Sequence, residues 1–145
     1  MTTASTPMID NAEEVAHKWI DELGDYLNWS NNAQIQRLLR TVLHTIRDFL
    51  TVDEAADVAA QLPVLIRGIY YENWNPSATP CKPRNKAAFM ARIAEAFRNN
   101  PIEDQEAAVA AVIKLLSRHV SAGEMSQVRQ AMRKDLKFLF PDMDA

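Results

Sequence analysis

Laid over itself with a shift of 70 residues, the chain repeats its own apolar pattern. Trp19, Ile20, Leu23 and Leu27 fall on Phe89, Met90, Ile93 and Phe97, and Leu39, Val42, Leu43, Ile46 and Leu50 fall on Val109, Val112, Ile113, Leu116 and Val120. The register then continues without a gap, with Val58, Leu62, Ile66, Ile69 and Tyr70 falling on Val128, Met132, Leu136, Leu139 and Phe140. Few positions are identical, so what repeats is a pattern of burial rather than a set of reactive groups. Such an offset constrains the chain to two similar supersecondary units that bury their apolar faces together.

Helices are the elements this pattern specifies. Over residues 32–50, Ile35, Leu38, Leu39, Val42, Leu43, Ile46, Phe49 and Leu50 recur at three- and four-residue steps and share one broad helix face. Arg37, Arg40, His44 and Arg47 fall on the opposite, polar face. The three glycines, Gly24, Gly68 and Gly123, are too few to supply the turns of a many-stranded sheet. Thr51 to Glu54 and Ser121 to Glu124 both read as capping boxes, in which the hydroxyl accepts from the third helical amide and the glutamate reaches back to the cap amide.

The expected fold is therefore an all-α six-helix bundle built from two fused, duplicated three-helix units. Its helices fall near residues 11–27, 33–50 and 52–71, then 85–99, 103–120 and 122–140, within a single domain over 9–141. A connector over 72–84 joins the units, and residues 1–8 and those beyond Pro141 are expected to be mobile. Pro63 removes an amide and crowds the preceding turn, so it predicts a kink or break near Leu62. Its counterpart Arg133 imposes no such constraint, so the two units should differ in shape there.

Composition narrows the functional classes. At 145 residues and 48% hydrophobic, the chain can bury a sizeable core without disulfides or a structural metal, and its one cysteine could supply neither. No apolar run approaches the roughly 18 residues of a membrane span. The first residues lack the basic and apolar parts of a signal peptide, which places the chain in the cytoplasm. A net charge of −3 speaks against a general polyanion binder while leaving room for a local basic face.

The run Ala59-Ala-Gln-Leu-Pro63, followed by Leu65-Ile-Arg67, Tyr70-Tyr-Glu-Asn-Trp74 and the later Val120-Ser-Ala-Gly-Glu124, resembles an uncharacterised bacterial helical family, domain of unknown function 2267. The resemblance covers residues 36–141, and the second copy of the Gln-Leu-Pro box has degenerated to Ala131-Met132-Arg133. It implies a compact duplicated α-helical domain in a bacterial cytoplasm. It implies no reaction, because the family has no assigned catalytic residues.

The residues themselves offer little catalytic chemistry. There is no nucleophile elbow, no phosphate-cradling glycine loop and no His-Glu-x-x-His helix. Glu14 and His17 have the Glu-x-x-His spacing of a di-iron bundle, but the second such pair is missing, so neither metal nor cofactor is expected. Cys81 lies between Pro80 and Lys82-Pro83-Arg84, where two cations would favour a reactive thiolate. It has no neighbouring histidine base and no second cysteine.

Charge and aromatic placement point instead to recognition. Residues 1–30 carry six acids and one base, whereas residues 73–100 carry five bases and only Glu95 as an acid. Tyr70 reads as core, while Tyr71 and Trp74 either pin the connector onto the bundle or receive a partner, and Trp29 poses the same question on a smaller scale. The expected function is a non-enzymatic interaction or regulatory module that docks a protein or peptide segment near Tyr71, Trp74, Lys82 and Arg84. The alternative is a small-ligand binder or enzyme with an interhelical pocket using His44, His119 or Cys81. Nucleic acid is disfavoured because the helix beginning at Val52 is acidic. Homo-oligomers remain open, since apolar faces of fused bundles often pair.

Overall fold

The computed structural model describes residues 4–141. Among them are seven α-helices, α1 (Pro7–Leu27), α2 (Asn32–Phe49), α3 (Val52–Ala60), α4 (Val64–Tyr71), α5 (Lys86–Ala96), α6 (Gln105–His119) and α7 (Ala122–Ala131). Two 3-10 segments, Pro76–Ala78 and Lys134–Leu139, complete the regular structure, and no β-strand occurs among the described residues. The all-α class is as expected, but the helix number corrects the six-helix reading. Residues 1–3 and 142–145, where mobile ends were expected, lie outside the described residues. Pro7 and Met8 already form the first turn of α1.

Local signals explain the helix ends. Asn31, Asn85 and Asp104 precede α2, α5 and α6, and their side-chain oxygens accept from the amides of Gln34, Ala88 and Ala107. Asn28 closes α1 in the left-handed region at φ 58°, a conformation asparagine tolerates, and the Trp29 amide donates back to the Gly24 carbonyl. Gly24 permits this closure, because a Cβ there would lie 2.9 Å from Ile35 Cδ1 and 3.2 Å from the Trp29 carbonyl oxygen.

Helices α2 and α6 form the centre, and α2 touches α1, α4, α5 and α6. Leu38, Leu39, Val42, Leu43 and Ile46 of α2 meet Val109, Val112, Ile113, Leu115 and Leu116 of α6 in one continuous apolar cluster. Burying each such side chain contributes about 1.5–3 kcal/mol.

The break between α3 and α4 falls at Pro63, whose φ and ψ are −60° and 154°. Arg133 adopts −61° and 154° between α7 and the second 3-10 segment, with no proline to enforce it. The expected difference between the two units is thus corrected at this corner. Burial supplies the reason: Leu62 and Met132 are buried before each break, and Ile66, Tyr70, Leu136 and Phe140 are buried after it. The chain must turn to return both sets of side chains to the core.

The second capping box also differs from expectation. Thr51 and Glu54 make the reciprocal pair in α3, but the Ser121 amide donates to Gln61 Oε1 at 2.7 Å, and Gln61 Nε2 donates to Ser121 Oγ at 3.1 Å. Gln61 occupies the place expected for Glu124, whose own side chain is buried. This exchange ties the end of α3 to the start of α7.

Candidate functional site

The connector over residues 72–84 is held down by the helix face that reads as polar in the sequence. Arg47 is only 3% exposed, contrary to that reading. Its Nη1 donates to the carbonyls of Tyr70 at 2.8 Å and Glu72 at 2.6 Å, while its Nε pairs with Asp48 Oδ1 at 2.9 Å. Asp48 in turn pairs with Arg92 at 2.8 Å, and its carbonyl accepts from the Cys81 amide at 2.8 Å. Arg84 Nη1 donates to the Phe49 carbonyl at 3.3 Å, and Arg40 pairs with Glu72 at 3.0 Å. The end of α2 therefore fixes both ends of a segment that contains two cis X–Pro bonds, Thr79–Pro80 and Lys82–Pro83.

The aromatic residues anchor the same segment. Tyr70 is fully buried and its hydroxyl donates to the Ala55 carbonyl at 2.8 Å. Tyr71 packs between Tyr70 and Trp74, with ring centroids 5.3 and 5.1 Å away, and both Tyr71 and Trp74 are partly buried against the core. Trp74 Nε1 is buried with no partner among the described residues. Cys81 is half-buried, and burial pushes its thiol above the usual range, outweighing Arg92 and Arg84. The expectation of a cation-favoured thiolate is thereby corrected.

Lys82 and Arg84 do come together with other cations. They line an open hollow of about 590 Å³ with Arg133 and Lys134. Asp135 is the acid in its lining, and that carboxylate is engaged with the Lys86 amide at 3.2 Å, at the start of α5. Lys82, Arg133 and Lys134 make no ion pair among the described residues. The neighbouring Lys86 and Arg92 are paired, with Glu106 and Asp48. Sequence reasoning placed Arg133 only in a helical stripe and missed Lys134; the turn at Arg133 that joins them to the connector had no sequence signal.

The titratable groups of the alternative reading stand apart from one another. His44 Nε2 donates to the Ile69 carbonyl at 2.6 Å, and burial lowers its pKa. His119 stacks on Trp19 with centroids 4.7 Å apart and faces the Glu22 carboxylate at 3.2 Å. Glu14 pairs with Lys18 on the exposed start of α1. Glu124 faces Asp57 and Glu54, and burial first, then these two acids, raise its pKa.

A second hollow, of about 400 Å³, lies between the α1–α2 turn and the loop before α6. Trp29 walls it, with Ser30, Gln34, Asn100 and Glu103 around the opening and Phe97 beneath. Trp29 meets the Phe97 ring edge-on, with centroids 6.2 Å apart and planes at 60°. The Gln34 carboxamide oxygen is buried without a partner, a loss of about 1–3 kcal/mol for a group that makes no hydrogen bond. Trp29 also borders two smaller hollows, of about 290 and 180 Å³.

These features define an all-helical protein whose hollows are walled by turns and connectors around a closed core. Among the described residues no helix is long and apolar enough to cross a membrane. A family model described as an uncharacterized conserved protein, DUF2267, matches residues 16–139, and the chain belongs to that family. No curated protein matches the chain significantly.

Proposed function

We propose that this chain is a non-enzymatic cytoplasmic docking module that receives an acidic segment of a partner protein in the hollow lined by Lys82, Arg84, Arg133 and Lys134. The observation that carries this reading is the set of three unpaired cations, Lys82, Arg133 and Lys134, around one opening in a chain of net charge −3. Their mutual repulsion is relieved when carboxylates enter, and the pinned connector costs no ordering entropy on binding. Tyr71 and Trp74 serve in this reading as the clamp that sets the position of Lys82 and Arg84.

The same reading treats residues 11–71 and 85–140 as two copies of one three-helix unit. The shared backbone angles at Pro63 and Arg133 and the apolar match at an offset of 70 support it. In the first copy the corner carries Pro63, Val64 and Leu65, and in the second Arg133, Lys134 and Asp135. Charge at this corner therefore belongs to one copy, and so does the docking role.

The test is fluorescence anisotropy with a labelled Glu-rich peptide, comparing the wild type with the double variant Lys82→Glu, Lys134→Glu. Both side chains are solvent-facing and unpaired, so the variant should keep its helical circular dichroism and lose affinity by about tenfold or more. Equal affinity in the two proteins sinks the proposal. Preferential binding of duplex DNA, or of a Lys-rich peptide, sinks it as well.

A further inference from the structure

We infer that the hollow walled by Trp29 binds a neutral polyhydroxylated ligand the size of a mono- or disaccharide. It shares no residue with the cationic hollow and stands whether or not an acidic segment docks there.

The lining selects the ligand class. Ser30, Gln34 and Asn100 each offer both a hydrogen-bond donor and an acceptor, as does every hydroxyl of a polyol. Glu103 is the one charged residue of the lining, and no lysine, arginine or histidine lines the hollow. A phosphate or carboxylate ligand would meet no counter-charge there, only a like one. The volume of about 400 Å³ falls in the range that holds small molecules.

The aromatic geometry narrows the class further. Because Phe97 meets Trp29 edge-on at 60°, the rings do not form the two parallel walls that would sandwich a flat base. One indole face suffices for a sugar, whose polarised C–H groups lie against the negative face of the ring. Gln34 supplies the remaining signal. Its carboxamide oxygen lacks a partner, and the terminal torsion of a glutamine is soft, so the group can turn into the hollow without moving α2. A ligand hydroxyl then satisfies whichever carboxamide atom it meets.

The experiment is an amide and indole NMR titration of the full chain with glucose, N-acetylglucosamine, maltose and trehalose, with adenosine and agmatine as controls. The expected result is saturable shifts confined to the Trp29 indole and residues 28–34 and 97–103 with at least one saccharide. Trp29→Ala should abolish them. Because Trp29 also packs against the core, Asn100→Ala is the companion variant: this exposed side chain has no structural bond, and its removal should weaken binding about three- to tenfold. The inference is overturned if no saccharide gives saturable shifts, if Asn100→Ala binds as the wild type does, or if only adenosine or agmatine moves these signals.

Discussion

Arg47 holds a full positive charge in a position that is 3% exposed, and three acceptors surround it. Removing one partner of a buried charged network is costly because the others lose their compensation. Arg47→Met keeps the volume and strands the Tyr70 and Glu72 carbonyls, so it should destabilise the fold by about 3 kcal/mol in urea denaturation. Thiol labelling of Cys81 should accelerate in the same variant, since Arg47 orients the helix end that holds the Cys81 amide. Glu124 behaves in the opposite sense. Its carboxyl titrates above the ordinary range, so the folded chain binds that proton more tightly than the unfolded chain does. Stability is fully present below the ordinary glutamate value and is lost as pH rises through the raised one. Glu124→Gln should therefore be more stable than the wild type at about pH 7 and equal to it near pH 4 by thermal denaturation. Neither role was legible in the sequence. Periodicity put Arg47 on a polar face because it counts only the helix's own pattern, and the connector that covers that face comes from 25 residues away. Glu124 read as half of a capping box, and the residue that took its place, Gln61, lies 60 positions earlier.

At the scale of elements the turn before Lys134 offers a direct test of what sets a break. Arg133 has the φ that proline requires, its amide donates to no backbone carbonyl, and Met132 before it is extended at φ −78° and ψ 150°. Arg133→Pro should be tolerated and should stabilise the chain by about 0.4–1 kcal/mol, by restricting the unfolded state. Pro63→Ala should lose a similar amount, measured by the same urea midpoints. A strongly destabilised Arg133→Pro would show that the turn depends on the arginine side chain, whose Nε is not needed there. The helices were readable because each carries a 3.6-residue apolar repeat and a capping residue. The break at Arg133 was not, because it arises from where Met132 and Leu136 must be buried, which is a property of the packed pair of units. For the same reason the helix stripe of Arg129, Arg133 and Lys137 dissolves, and Arg129 instead donates to the Phe140 carbonyl at 3.1 Å.

Across the whole molecule, the two larger hollows differ in the charge of their walls, and that difference separates the two proposed bindings by one variable. The hollow at Lys82, Arg84, Arg133 and Lys134 attracts through unpaired cations that stand in solvent, where an ionic atmosphere screens them. The hollow at Trp29 holds its ligand by ring contact and neutral hydrogen bonds, on which salt acts little. Raising sodium chloride from about 0.05 M to about 0.5 M shortens the screening length from about 14 Å to about 4 Å. Affinity for the Glu-rich peptide should then fall by about tenfold or more, and the saccharide shifts at Trp29 should keep their midpoint. Lys82→Glu with Lys134→Glu should flatten the peptide's salt response and leave the saccharide midpoint in place. A peptide affinity indifferent to salt would mean that apolar contact carries the docking, and the exposed Val64, Leu65 and Phe138 would then be the surface to substitute. A saccharide midpoint that moves with salt would instead place Glu103 at the centre of that site, with a cation as its ligand.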